Sequence, residues 1–219
     1  MSQPCLDLHA DARTRDLLGD RRPAVLLLGG YTGYPNFGDI LQLKGAIAWH
    51  REKTDLQPVL VCDAASIPDP GFQERLRRWF GVEAIVFWSR ERLDLRPVGL
   101  QGLRESSPVR HLHVFGGGFL NRFWGPGLLD VIDHLHAFFG VGHYVLSGQQ
   151  VDPAIREQLA THFAQCPPRL AGGRDPLSVD VLRECGAPDE YSFDDAAEVL
   201  RALTAALAPV QSALHWRDA

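Results

Sequence analysis

At 219 residues the chain can bury a substantial core, as one large domain or two small ones. Its apolar share of 45% and charged share of 22% are ordinary for a globular protein. A net charge of −5 without a long basic run argues against a nucleic-acid binder, because phosphate backbones require clustered Lys and Arg.

Residues 1–22 carry many charges and few large apolar side chains, which predicts a frayed arm or short helix with no signal-peptide core. Residues 23–219 are read as a single domain. Ala24–Leu28 (AVLLL) is short, apolar and unbroken, as suits a strand buried on both faces of a parallel sheet. The glycine-rich stretch GGYTGYPNFGD follows. Ile40, Leu43 and Ile47 then fall at helical spacing, with Asp39 placed to cap that helix. A strand, a glycine turn and a helix start bring backbone N–H groups and a helix dipole to one point, which favours an anion or nucleotide.

Pro58–Asp63 is the second expected strand, with Asp63 at its carboxyl end, where ligands of open α/β sheets bind. After turn-like residues 64–70, Gly71–Phe80 has the pattern of a helix with Phe72, Leu76, Trp79 and Phe80 inward. Glu83–Trp88 is a third strand, and the charged, Pro- and Gly-broken stretch to Arg110 predicts a connection holding a short helix. His111–Phe115 is a fourth strand, followed at once by Gly116, Gly117 and Gly118. A helix over Gly127–Phe139, a strand over His143–Ser147 and a helix over Asp152–Phe163 come next, the last with Asp152 as cap and Pro153 in its first turn. Arg169–Gly173, Pro176–Cys185, Glu190–Phe193 and about Ala196–Leu207 continue the alternation of strand and helix. The whole predicts an α/β fold with a doubly wound, mainly parallel, Rossmann-like sheet.

The four cysteines, Cys5, Cys62, Cys166 and Cys185, form no Cys-x-x-Cys pair, so zinc and redox readings are weak. Scattered single thiols fit a reducing compartment, and no apolar run reaches membrane-spanning length. A cytoplasmic protein is therefore expected.

Four pieces stand in a recognisable order: GGYTGYPNFGD (Gly29–Asp39), HVFGGGFLN (His113–Asn121), SGQQV (Ser147–Val151) and GRDPLSVDVLRECG (Gly173–Gly186). Together they resemble the polysaccharide pyruvyl transferase family over about Ala24–Asp195. Members share a G-x-x-G-x-x-N-x-G-D turn, a strand ending in a glycine triplet, a Gly-Gln turn and an R-D-x-x-S segment opening a helix. The resemblance implies one half of a two-domain, glycosyltransferase-B-like architecture. It also implies transfer of a pyruvyl group from phosphoenolpyruvate to a sugar, releasing phosphate and leaving a cyclic ketal. Phosphoenolpyruvate is then a donor substrate, and no cofactor is expected. Members usually continue into a second half with a Ser-x-Arg-x-His segment, of which Ser212-Ala213-Leu214-His215 is an echo without the arginine. A second half or a partner chain is thus expected to complete the site.

Ketal formation needs cations or N–H donors for phosphate and carboxylate, an acid for the methylene and a base for the hydroxyl. Asp39, His113 and Arg174 are the candidate catalytic residues. Asp39 or His113 moves a proton, and Arg174, where a strand meets a helix, suits a bidentate anion contact. Gly33, Asn36 and Gly38, the triplet Gly116, Gly117 and Gly118, and Gln149, Asp175 and Ser178 are the candidate substrate contacts. Each has a plainer reading. Asn36 and Gly38 make a turn, Asp39 caps a helix, the triplet permits close packing, Arg174 pairs with Asp175, Asp194 or Asp195, and Ser178 packs. His111 and His113 share a face of their strand, and with no third ligand in view no metal is expected. Phe119, Phe123 and Trp124 can stack on a sugar or cover an interface. Two other readings stand beside transfer. One is an accessory module that has kept the fold without catalysis, with Trp124 and Trp216 at an interface. The other is a nicotinamide-binding enzyme with Asp63 on a ribose, although the Gly29–Gly38 spacing is not G-x-G-x-x-G.

Overall fold

The computed structural model describes residues 6–20, 22–29, 36–66, 71–90, 98–100, 108–192 and 194–211. Gly33, Ser212–His215, Trp216, Cys5 and most of the connection expected to hold a short helix lie outside them. The first elements are β1 (Asp7–Ala10), α1 (Ala12–Gly19), β2 (Ala24–Leu28), α2 (Phe37–Lys53), β3 (Gln57–Asp63), α3 (Phe72–Phe80), β4 (Ala84–Ser89) and the two-residue β5 (Val98–Gly99). There follow β6 (Val109–Val114), β7 (Gly117–Leu120), α4 (Gly125–Phe139), β8 (His143–Val151), α5 (Arg156–Gln165), β9 (Leu170–Gly173), α6 (Pro176–Glu184), β10 (Asp189–Tyr191) and α7 (Ala197–Gln211).

These strands form one sheet in the order β10-β9-β8-β6-β2-β3-β4-β1-β5, with β7 alongside β8. From β10 to β4 every neighbouring pair is parallel. Numbered in chain order, these parallel strands run 3-2-1-4-5-6-7, the Rossmann order with one strand added. The α/β, doubly wound, mainly parallel expectation is what the chain forms.

The unbroken apolar strands follow from having core on both faces. In β2, Ala24, Leu26 and Leu28 belong to one buried cluster with residues of α4, α5 and α6, while Val25 and Leu27 belong to a second with residues of α2 and α3. Both faces are removed from water, so a polar residue on either would lose its hydration.

Three local expectations are corrected. The N-terminal segment is more than an arm or short helix, because β1 pairs antiparallel with β4 and buries Leu6, Leu8 and Ala10. In α3, Trp79 is 51% exposed and Arg77 is buried instead. The Arg77 guanidinium donates to Asp11 at 2.6 Å, Glu74 at 2.7 Å and the Glu83 carbonyl at 3.0 Å, so its charge is matched where it enters the core. Finally, β8 runs on through Gly148, Gln149 and Gln150 to Val151, where a Gly-Gln turn was expected, and Gly117–Leu120 pairs beside it as β7.

Candidate functional site

The strand order reverses between β2 and β6, so the crevice outside their carboxyl ends is where an open α/β sheet binds ligands. Close backbone approach builds this edge. Gly29 follows β2 where a methyl group would stand 2.4 Å from the Phe115 ring. The Phe115 N–H donates to the Leu28 carbonyl at 2.9 Å, which holds the two strand ends together.

Helix α2 starts at this edge. Its cap is Asn36, whose Oδ1 accepts from the Gly38 N–H at 3.0 Å. Asp39, expected as the cap, lies inside the first turn instead. That position frees its carboxylate while keeping it near the positive end of the helix dipole. Burial, and then the charge of Asp194, nevertheless raise its pKa above the ordinary aspartate value.

Beside this helix start is a cavity of about 700 Å³. Asn36, Asp39, Asp63 and Arg90 supply its polar lining, and Trp88, Phe119, Phe123 and Trp124 its aromatic lining. Phe123 is 77% and Trp124 65% exposed, and the Arg122 guanidinium lies over the Phe123 ring, 5.3 Å from its centre. The second helix start on the cavity is that of α4, which has Trp124 at its cap position and no side-chain cap. Asn121 fixes this entry, its Oδ1 accepting from the N–H groups of Phe123 at 2.8 Å and Trp124 at 3.0 Å. Two helix N-termini and a guanidinium thus meet two carboxylates and an aromatic wall.

On the other side of the sheet edge, a polar chain links α2, β6 and β8 to the turn that precedes α7. His50 Nε2 lies 3.0 Å from His113 Nδ1, and His113 Nε2 lies 2.7 Å from Ser147 Oγ. The Ser147 hydroxyl donates to Asp195 at 2.7 Å, and Asp195 also accepts from the Gly116 N–H at 2.5 Å. With Asp195 ionised, every proton in the chain points toward it: His50 donates to His113, His113 to Ser147 and Ser147 to the carboxylate. His50 Nδ1 is then the unprotonated end, and it has no hydrogen-bond partner among the described residues.

Burial lowers His113 to about 4. Burial and the neighbouring histidines, His113 and then His111, lower His50 to about 3. Asp195 is raised to about 6 by burial and, to a lesser extent, by Asp194, against the opposing bonds from Ser147 and Gly116. At neutral pH the chain therefore holds neutral imidazoles and a carboxylate about a unit from taking up a proton.

The candidate residues separate by role. Asn36 and Asp39 line the cavity. His113 belongs to the polar chain, and His111 diverges from it to stack on His143 with ring centroids 5.3 Å apart. Arg174 pairs with Asp194 at 2.8 Å and donates to Gln150, realising the internal ion pair. Asp175 caps α6, accepting from the Ser178 N–H and hydroxyl at 2.9 Å each, and Ser178 Oγ accepts from the Val151 N–H at 2.9 Å. Gln149 is fully buried, and its amide donates to the carbonyls of Val114, Phe115 and Ser147.

The triplet works at close quarters. A methyl at Gly116 would meet Asp195 Oδ2 at 2.8 Å, and one at Gly117, where φ is +149°, would meet the Phe119 ring at 1.9 Å. At Gly118 the nearest atom would be Gln150 Oε1 at 3.4 Å, an ordinary contact.

His50, Ser147 and Arg90 are functional candidates that sequence reasoning did not single out, and Asp195 entered it only as a possible partner of Arg174. Ser147 carried a signal in ending an apolar run just before a glycine, and Asp195 in being one of two adjacent carboxylates before a helix. No protein-family model and no curated protein matches this sequence.

Proposed function

We propose that this domain binds an anionic donor and a sugar ring at the β2/β6 edge, as the Rossmann-like half of a polysaccharide pyruvyl transferase-like enzyme. One observation carries the reading. Asn36 and Asp39, from the glycine-rich turn, and Phe119, from the segment of the glycine triplet, line a single cavity at the switch point. Two of the four segments that carry the family resemblance therefore converge on one cavity.

In the proposed reaction one sugar hydroxyl adds through oxygen to C2 of phosphoenolpyruvate while the methylene gains a proton. The second hydroxyl then displaces phosphate and closes the ketal, its proton leaving with the phosphate or a base. Arg90 and the N-termini of α2 and α4 suit the donor's phosphate and carboxylate. Asp39 suits the proton transfers, because burial and the neighbouring Asp194 raise its pKa and so make its carboxyl group a better proton carrier than an ordinary aspartate. Phe123 and Trp124 suit stacking on the acceptor ring. Arg174 is held by Asp194 at 2.8 Å, whereas the Arg90 pair with Asp130 is longer, at 3.4 Å, and more exposed, so Arg90 takes the anion-binding role first considered for Arg174.

A second reading has one observation in its favour. Asp63 ends the strand next to β2 and lines the same cavity, the position at which an acidic side chain holds the ribose of a dinucleotide. Thermal-shift titrations with phosphoenolpyruvate, NAD and UDP separate the two, because a ligand of the native state raises its apparent stability. Transfer predicts a rise with phosphoenolpyruvate that Arg90→Ala abolishes. A rise confined to NAD and abolished by Asp63→Ala overturns it in favour of the dinucleotide. No rise with any of the three overturns both and leaves a non-catalytic module.

A further inference from the structure

At the opposite end of the sheet from the cavity, α4 and α5 bring three metal-ligating side chains together in the core. His162 lies in the last turn of α5 and Cys166 is its C-cap, so the two are one helical turn apart on one face. Asp133 reaches them from α4. One ligand atom from each lies within 4.8 Å of the other two.

We propose that Asp133, His162 and Cys166 bind a zinc ion that staples α4 to the C-terminal end of α5. A tetrahedral zinc holds its ligand atoms roughly 3.5 Å apart, so only a modest closure of these side chains is needed.

Unsatisfied groups give independent support. His162 and Cys166 are each 5% exposed, yet neither ring nitrogen of His162 has a hydrogen-bond partner among the described residues. Asp133 Oδ1 comes to 3.0 Å from His162 Nδ1 without hydrogen-bond alignment, close enough for one ion to touch both. The Tyr144 hydroxyl, also buried and without a partner among the described residues, is near enough to feel the charges of Cys166 and Asp133. Buried polar atoms are ordinarily paired, so this concentration of orphans beside one thiol calls for an occupant.

The chemistry selects the ion. One nitrogen, one sulfur and one oxygen donor suit zinc better than magnesium or calcium, which take oxygen alone. Binding converts the Cys166 thiol to thiolate and releases its proton to solvent. The resulting Asp⁻, Cys⁻, neutral His and Zn²⁺ sum to zero charge, which lowers the cost of placing them in a core. The Asp133 side chain keeps 26% of its surface exposed, which gives the ion a way in, and water or the Tyr144 hydroxyl can fill the fourth position. Tyr144 is the second residue of β8, far along the strand from the ligand-binding edge, so the role is structural.

The test uses the full chain, stripped of metal and titrated with Zn²⁺ and separately with Co²⁺. The expected result is one zinc per chain, a rise in Tm that EDTA reverses, and a thiolate-to-cobalt charge-transfer band. Cys166→Ser should lose the band and the rise, and Cys185→Ser should keep both. Absence of bound zinc, cobalt binding without the thiolate band, or a band that survives Cys166→Ser would overturn the proposal. If Cys166→Ser does not fold, the wild-type band and its loss in Asp133→Asn decide the matter in the same way.

Discussion

Gly45, in the middle of α2, lies directly beneath the backbone of Asp195: a methyl group there would stand 1.8 Å from the Asp195 carbonyl oxygen. This contact sets how closely the segment leading into α7 approaches the sheet, and hence whether the Asp195 carboxylate reaches Ser147 and Gly116. On an exposed helix, Gly→Ala gains about 1 kcal/mol through propensity. Here it forces backbone apart, and overpacking costs about 1–3 kcal/mol. Gly45→Ala is therefore expected to lower the urea midpoint, and a raised midpoint would show that the close approach does not exist.

The polar chain makes stability depend on acidity in two opposed ways. His113 titrates at about 4 folded and 6.5 unfolded. Its contribution is present above 6.5 and lost as pH falls toward 4, because the unfolded chain takes up the proton first. His50, lowered to about 3, acts in the same direction. Asp195 is raised from 3.8 to about 6, so its contribution is present below 3.8 and lost as pH rises through about 6. Acidification from neutrality to about pH 4.5 should thus weaken the fold through the histidines and partly restore it through Asp195. His113→Asn should flatten the fall and Asp195→Asn should steepen it, as read from unfolding free energies at several pH values. A single slope shared by all three proteins would refute the linkage.

Two of the paired arginines, Arg174 and Arg77, differ in how much their loss is expected to cost. The Arg174 and Asp194 side chains are 30% and 29% exposed, so Arg174→Ala should cost at most about 1 kcal/mol. The Arg77 side chain is 6% exposed and serves two carboxylates and a carbonyl at once. Removing it strands the Glu83 carbonyl and uncovers Asp11, at the lower end of the roughly 3–5 kcal/mol typical of a broken buried pair. Denaturant melts of the two alanine variants should differ by about 2 kcal/mol, and equal losses would contradict the burial difference.

What was legible in the sequence follows from the physics of each element. Ala24–Leu28 announces a two-sided buried strand because every side chain is apolar. β1 does not, since Asp7-Leu8-His9-Ala10 alternates over only four residues amid charges. Helical periodicity places Leu76 and Phe80 correctly but cannot see Asp11, 66 residues away from Arg77, which lets the arginine displace Trp79 from the core. The cavity residues Asn36 and Asp39 were marked by their turn motif. The His50–His113–Ser147–Asp195 chain had no such mark, because it exists only once β2 lies between β3 and β6 and β8 lies beyond β6. Spacing along the chain carries no trace of that arrangement.

Gln149 illustrates a motif residue whose observed work is architectural. Its amide nitrogen donates to the carbonyls of Val114 at 3.1 Å, Phe115 at 3.1 Å and Ser147 at 2.8 Å, which ties the end of β6 to β8 just where the ligand edge begins. Gln149→Leu removes the donor but leaves the carbonyls buried, and an unsatisfied buried acceptor costs about 1–3 kcal/mol. Gln149→Glu should be worse, because an ionised carboxylate would face three carbonyl dipoles of the same sign, and only its protonated form can donate. Stability of the glutamate variant should therefore recover on acidification relative to the leucine variant. Urea melts at neutral and mildly acidic pH measure this. A glutamate variant as stable as wild type at neutral pH would mean that Gln149 is not bound to these carbonyls and is free to meet a ligand.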